Sequence, residues 1–98
     1  MEATQKSKAV LFELGTVAAT PAALAVLEEN EVKADTLITR HYTGDWGDVC
    51  EEDADANTAA LKEGYRLLSS YQLPDGQKVW IITECDRSVT TLLLPSDY

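Results

Sequence analysis

Basic residues are scarce in this chain. Eight Lys and Arg stand against seventeen Asp and Glu over 98 residues, a formal net charge of −9. A pI near 4.3 argues against direct binding to a phosphate backbone, which is held by Lys and Arg. Cysteine is nearly absent: Cys50 and Cys85 alone are too few for a disulfide-dense secreted scaffold. No apolar run approaches the ~18 residues that a membrane span requires, so no membrane partner is expected. The opening Met-Glu-Ala-Thr-Gln-Lys-Ser-Lys lacks the charged-then-apolar layout of a signal peptide, and the expectation is a cytoplasmic protein. Repeats, low-complexity tracts and Pro-, Gly- or Ser-rich linkers are also missing. What is present, 45% apolar residues at single-domain length, is enough to bury a core.

The chain reads as a frayed polar stretch over 1–8 followed by one domain over 9–98. From Ala9 to Thr20, Val10, Phe12 and Leu14 alternate with Leu11 and Glu13, which predicts a strand; Gly15 inside it suggests a bulge or a close backbone approach. Thr20-Pro21 is a helix start, with a capping hydroxyl and a proline where no N–H is needed; this helix fades at Asn30. A second helix is expected from about Lys33 to His41, where Ala34, Leu37, Ile38 and His41 share one face. After Thr43-Gly44-Asp45-Trp46-Gly47 breaks the chain, Asp48 with Glu51 resembles an acidic capping box. A third helix then runs from about Val49 to Glu63, with Ala54, Thr58, Leu61 and Tyr65 facing inward and Gly64 ending it. Arg66–Leu73, Lys78–Glu84 and Ser88–Leu94 read as strands, joined by Pro74-Asp75-Gly76 and Cys85-Asp86-Arg87 turns. Val79 and Ile81 on one side of the middle strand, and Trp80 and Ile82 on the other, make it central. The order β-α-α-α-β-β-β implies an α+β fold, an antiparallel sheet of about four strands with helices on one face.

Six carboxylates, Asp45, Asp48, Glu51, Glu52, Asp53 and Asp55, fall within eleven residues, with no Lys or Arg between His41 and Leu61. As a plain structural feature they are a solvated helix start favoured by the macrodipole. As a functional one they are a negative patch suited to a basic groove, including one that normally holds nucleic acid. The spacing misses the calcium-loop pattern, and no metal or cofactor is assigned. Trp46 either plugs the core beneath its loop or anchors an interface; Trp80 reads as core. His41, the only histidine, most simply finishes its helix by interacting with the last carbonyls. Arg40, Arg66 and Arg87 are expected to pair with carboxylates and buttress the acidic loop, Arg87 with Asp86, Glu84 or that loop. No nucleophile motif or phosphate loop is present, and His41, Cys50 and Cys85 would make a zinc site only if the fold joined them.

Several stretches together resemble a family of small bacterial proteins common on plasmids, prophages and integrated elements, often called plasmid-related. They are Arg40-His41, Gly44-Asp45-Trp46-Gly47-Asp48, Glu52-Asp53, Asn57, Ala60-Leu61, Glu63-Gly64 and Arg66-Leu67-Leu68-Ser69, together with Trp80-Ile-Ile-Thr-Glu84, Asp86-Arg87-Ser88-Val89-Thr90-Thr91 and Leu93-Leu94-Pro95. The resemblance covers roughly Gly15 to Tyr98. It implies a mobile-element setting but no catalytic residues; its pattern has alanine at position 85, which weighs against a metal role for Cys85. The reading is a non-enzymatic interaction protein, of the anti-CRISPR or anti-restriction kind, docking its acidic patch (Asp45 to Asp55, with Trp46) on a host nucleic-acid-handling protein. One alternative is a divalent-metal hydrolase or nuclease using Asp45, Asp48, Glu52, Asp53 and His41. The other is a homodimeric plasmid-maintenance or regulatory protein pairing through an exposed Ser88–Leu94 edge.

Overall fold

A computed structural model describes residues 10–98; the expected frayed stretch 1–8, and Ala9, lie outside the described residues. The elements follow the order β1 (Thr16–Ala19), α1 (Pro21–Glu29), α2 (Ala34–Tyr42), α3 (Glu51–Glu63), β2 (Leu67–Gln72), β3 (Lys78–Thr83) and β4 (Val89–Leu93). A 3₁₀ turn, Pro95–Asp97, follows β4. The fold is α+β, with one four-stranded sheet in the spatial order β1-β4-β3-β2. The pairs β2–β3 and β3–β4 are antiparallel, while β1 joins β4 in parallel. Among the described residues no helix is long and apolar enough to cross a membrane.

Local chemistry sets the ends of most elements. The Thr20 hydroxyl accepts from the Ala23 N–H at 3.1 Å and caps α1, with Pro21 in its first turn. Gly64, at φ 81°, ends α3 in the left-handed conformation that glycine adopts without steric cost. The first strand is shorter than its alternation suggested. Gly15 turns the chain at φ 66°, and a Cβ there would strike the carbonyls of Arg87 and Ser88. Residues 10–14 therefore lie outside the ladder: the Leu11 N–H bonds Tyr42 O at the end of α2, and Leu14 O accepts from the Thr90 hydroxyl.

Residues with odd numbers in β2 and β3 share one sheet face with Thr90 and Leu92. On that face Tyr71, Val79, Ile81 and Leu92 pack against Val26 and Leu27 of α1 and Leu37 of α2. Each fully buried aliphatic side chain there contributes about 1.5–3 kcal/mol. Strand β3 is central, as expected. Strand β4 is interior too, so Ser88–Leu94 is not an exposed edge; among the described residues the sheet's edges are β1 and β2.

The β2 edge is closed by side-chain and loop groups rather than by another strand. Helix α3 runs beside it, and the Asn57 amide grips one residue at both ends: Nδ2 donates to Leu68 O at 2.7 Å, and Oδ1 accepts from Leu68 N at 3.1 Å. Two residues on, Ser70 N donates to Trp46 O and Asp48 N donates to Ser70 O. At Gln72 the N–H donates to Asp48 Oδ2 at 2.8 Å. Gly47 allows this approach, since a Cβ on it would collide with Ser70 O and the Tyr71 ring. The buried residues of α3 are accordingly Asn57 and Ala60; of the four expected to face inward, Leu61 packs against the core and Ala54 is half-buried, whereas Thr58 and Tyr65 are exposed, Tyr65 at 60%.

Replacing Asn57 by Ala removes both edge bonds and strands two backbone groups. The expected loss is about 2–4 kcal/mol of unfolding free energy in a denaturant titration, with faster hydrogen exchange at the Leu68 amide. Unchanged exchange at Leu68 would show that the edge is not held by this side chain.

Candidate functional site

Of the six clustered carboxylates, the half-buried Asp45 and the exposed Asp48 are hydrogen-bonded within the fold, and the other four stand exposed. Asp45 meets Arg40 in a two-point contact, Nε to Oδ2 at 2.7 Å and Nη2 to Oδ1 at 3.3 Å. Its Oδ1 also accepts from Gly47 N. Both side chains are about 40% exposed (43% and 39%), so the ion pair adds at most about 1 kcal/mol. Its larger effect is orientation: Arg40 lies 4.6 Å from the centre of the Tyr71 ring, and the Tyr71 hydroxyl donates to Asp45 O at 2.6 Å. Burial pushes the Tyr71 hydroxyl up to about 12, so it remains a donor.

Asp48 is not the cap of α3. Its carboxylate holds the Gln72 N–H, and the helix starts two residues later than expected, with Cys50 at the cap position and no side-chain cap. Glu51, Glu52 and Asp53 occupy the uncapped first turn, and these three and Asp55 are exposed. None of the four has an ion pair among the described residues.

The arginines divide differently from expectation. Only Arg40 braces the acidic loop. Arg66 donates to the Tyr98 hydroxyl at 2.6 Å. Arg87, at φ 59°, donates to the carbonyls of Tyr65, Ala60, Glu84 and Cys85 rather than to a carboxylate. It thus ties the end of α3 and the following loop to the β3–β4 turn, a task suited to a guanidinium, which carries several donors and no acceptor.

His41 turns inward instead of serving the helix carbonyls. It is 0% exposed. Nδ1 lies 2.6 Å from Ser69 Oγ and Nε2 lies 2.9 Å from Thr83 Oγ1, which is 2.8 Å from Thr90 Oγ1. Thr90 donates its one proton to Leu14 O at 2.7 Å, and that sets every other proton in the chain. Thr83 must donate to Thr90, His41 Nε2–H to Thr83, and Ser69 to Nδ1. Phe12 and the half-buried Trp46 cover the ring at 5.1 and 5.8 Å. Trp46 is thus part of the lid over His41. With no exposed atom, His41 offers no base to a substrate.

The metal-dependent reading has no assembled donor set. Among the described residues no group of three or more His, Cys, Asp or Glu side chains is placed to hold an ion. The exposed Cys50 and Cys85 do not converge with His41.

The second face of the sheet carries an open groove of about 390 Å³, which the sequence did not signal. Cys50 and Asp53 at the start of α3 form one wall; Leu68, Lys78, Trp80 and Pro95 form the rest, with Ser70 also lining it. Trp80, expected as core, is half-buried here and meets Tyr98 edge-on at 5.8 Å. Compared with known protein families, with curated proteins and with solved structures, the chain matches none.

Burial holds the His41 imidazole down at about 4, against 6.5 for the free side chain. The unfolded chain therefore takes up a proton near pH 6.5 that the folded chain refuses until about pH 4. The contribution is whole above pH 6.5 and is lost as pH falls through that window, about 3 kcal/mol in all. Unfolding free energies measured from pH 7 to pH 4 should fall less steeply in His41→Gln. Equal slopes would rule out His41 as the source.

Proposed function

We propose that this chain is an acidic interaction protein, without chemistry of its own, that docks on the basic groove of a nucleic-acid-handling host protein. An anti-CRISPR or anti-restriction inhibitor acts in this way. The observation that carries the reading is the exposure of Glu51, Glu52, Asp53 and Asp55 on one helix start, without ion pairs among the described residues. The docking surface is narrower than the sequence suggested. Asp45 is engaged with Arg40 and Trp46 covers His41, so the contact is drawn from α3 outward, with Asp48 at its margin because one of its oxygens holds the β2 edge. Carboxylates of this kind steer encounter with a cationic surface and set register more than they add affinity. The mobile-element setting and a cytoplasmic site of action rest on the sequence resemblance and composition.

A homodimeric regulator is the second reading, and one observation favours it. The β1 edge carries Thr16, Val17 and Ala18 exposed, with Val17 at 46%, and among the described residues has no neighbouring strand on its outer side. Self-pairing would use that edge in place of Ser88–Leu94.

Candidate CRISPR and restriction effectors, titrated at increasing salt, test the docking reading. Binding should weaken steadily with salt. The combined E51Q, E52Q, D53N and D55N variant, checked for retained fold by circular dichroism, should bind about tenfold or more weakly. Salt-indifferent binding, or full binding by that variant, would remove the electrostatic mechanism. Light scattering showing a dimer that Val17→Lys disperses would favour the second reading instead.

A further inference from the structure

We infer that the groove between α3 and the second face of the sheet receives an arginine side chain of the basic partner, an inference that rests on the docking reading above. Ser70 marks the spot. Its side chain points to the same face as Leu68 and Trp80, the residue is only 7% exposed, and its hydroxyl has no partner among the described residues although both its backbone groups are bonded. A buried hydroxyl left without a partner is costly in a folded protein, and a ligand in the groove would supply one.

The chemistry around it narrows the ligand. Asp48, which accepts from Gln72 N through Oδ2, lines the groove together with Asp53, with Glu51 and Glu52 in the same helical turn as Asp53. Among the described residues Lys78 is the single cation lining the groove, and it has no ion pair there. Two lining carboxylates against one lining ammonium, with Glu51 and Glu52 adding negative charge from the same helical turn, favour a cationic guest despite the uncapped α3 amides. The half-buried Trp80 adds an aromatic wall. A guanidinium is planar, carries five donors and no acceptor, and stacks on an indole. It can lie on Trp80 while donating to the Ser70 hydroxyl and the two carboxylates. An ammonium answers the charge but not the plane.

The full chain, observed by two-dimensional amide NMR at low salt, is titrated with acetyl-Gly-Arg-Gly-amide, its Lys and Leu counterparts, and inorganic phosphate. The arginine peptide should give saturable shifts at Ser70, Cys50 and the Trp80 indole, and bind roughly fivefold more tightly than the lysine peptide. Asp53→Asn and Ser70→Ala should each weaken it, whereas Lys78→Gln should tighten it by removing a like charge. Equal binding of the leucine peptide, no saturable shift, or phosphate binding that Lys78→Gln weakens would each overturn the assignment. Arginine-peptide binding by a chain that engages no effector would support the groove while sinking the docking reading. Effector binding with a groove blind to the peptide would overturn the groove alone.

Discussion

Closure of the β2 edge is the constraint from which much of this molecule follows. A sheet edge leaves every second residue with its N–H and C=O unpaired, and such an edge invites pairing with other chains. Here the positions at Leu68, Ser70 and Gln72 are met in turn by the Asn57 side chain, the Trp46 and Asp48 backbone, and the Asp48 carboxylate. The loop must run flush along the strand to do this, and the glycine at position 47 is the residue that lets it. Asn57 in turn fixes where α3 lies. The helix start, its exposed acids and the groove beside Trp80 are all placed by that one seam.

The same loop roofs a buried polar chain. Trp46 and Phe12 lie over His41, and the hydroxyls of Ser69, Thr83 and Thr90 consume the hydrogen bonds of its ring in a direction set by Leu14 O. The constellation superficially resembles a catalytic relay of serine and histidine, yet every member is closed to solvent. Its role is to join α2, three strands and the N-terminal segment through one connected set of bonds. Such a network specifies a single arrangement because any misplacement leaves a buried donor or acceptor unmet.

Much of the architecture was legible because local chemistry and periodicity act within a few residues. Thr20-Pro21 and Gly64 stand at helix ends for reasons of capping and φ, and the apolar run in Lys78–Thr83 places that strand at the sheet's centre. The candidate site was less legible. Asp48 looked like a helix cap and Arg87 like an ion-pair partner, since both assignments are the nearest ones along the chain. In the fold each found a backbone partner distant in sequence, at Gln72 and at Ala60 and Tyr65. One signal was available: Asn57, a polar residue in the middle of a helix, has few uses there other than reaching outside it.

The sequence by itself determined the element order, the strong negative charge and the crowding of acids between Asp45 and Asp55, because these are properties of composition and short-range pattern. Only the tertiary structure decided which acids are bonded within the fold, that β4 is interior and β1 parallel to it, and that His41 lies wholly inside. Those outcomes depend on contacts between residues that are dozens of positions apart. Burial and backbone hydrogen bonding choose among such partners only once the chain has closed.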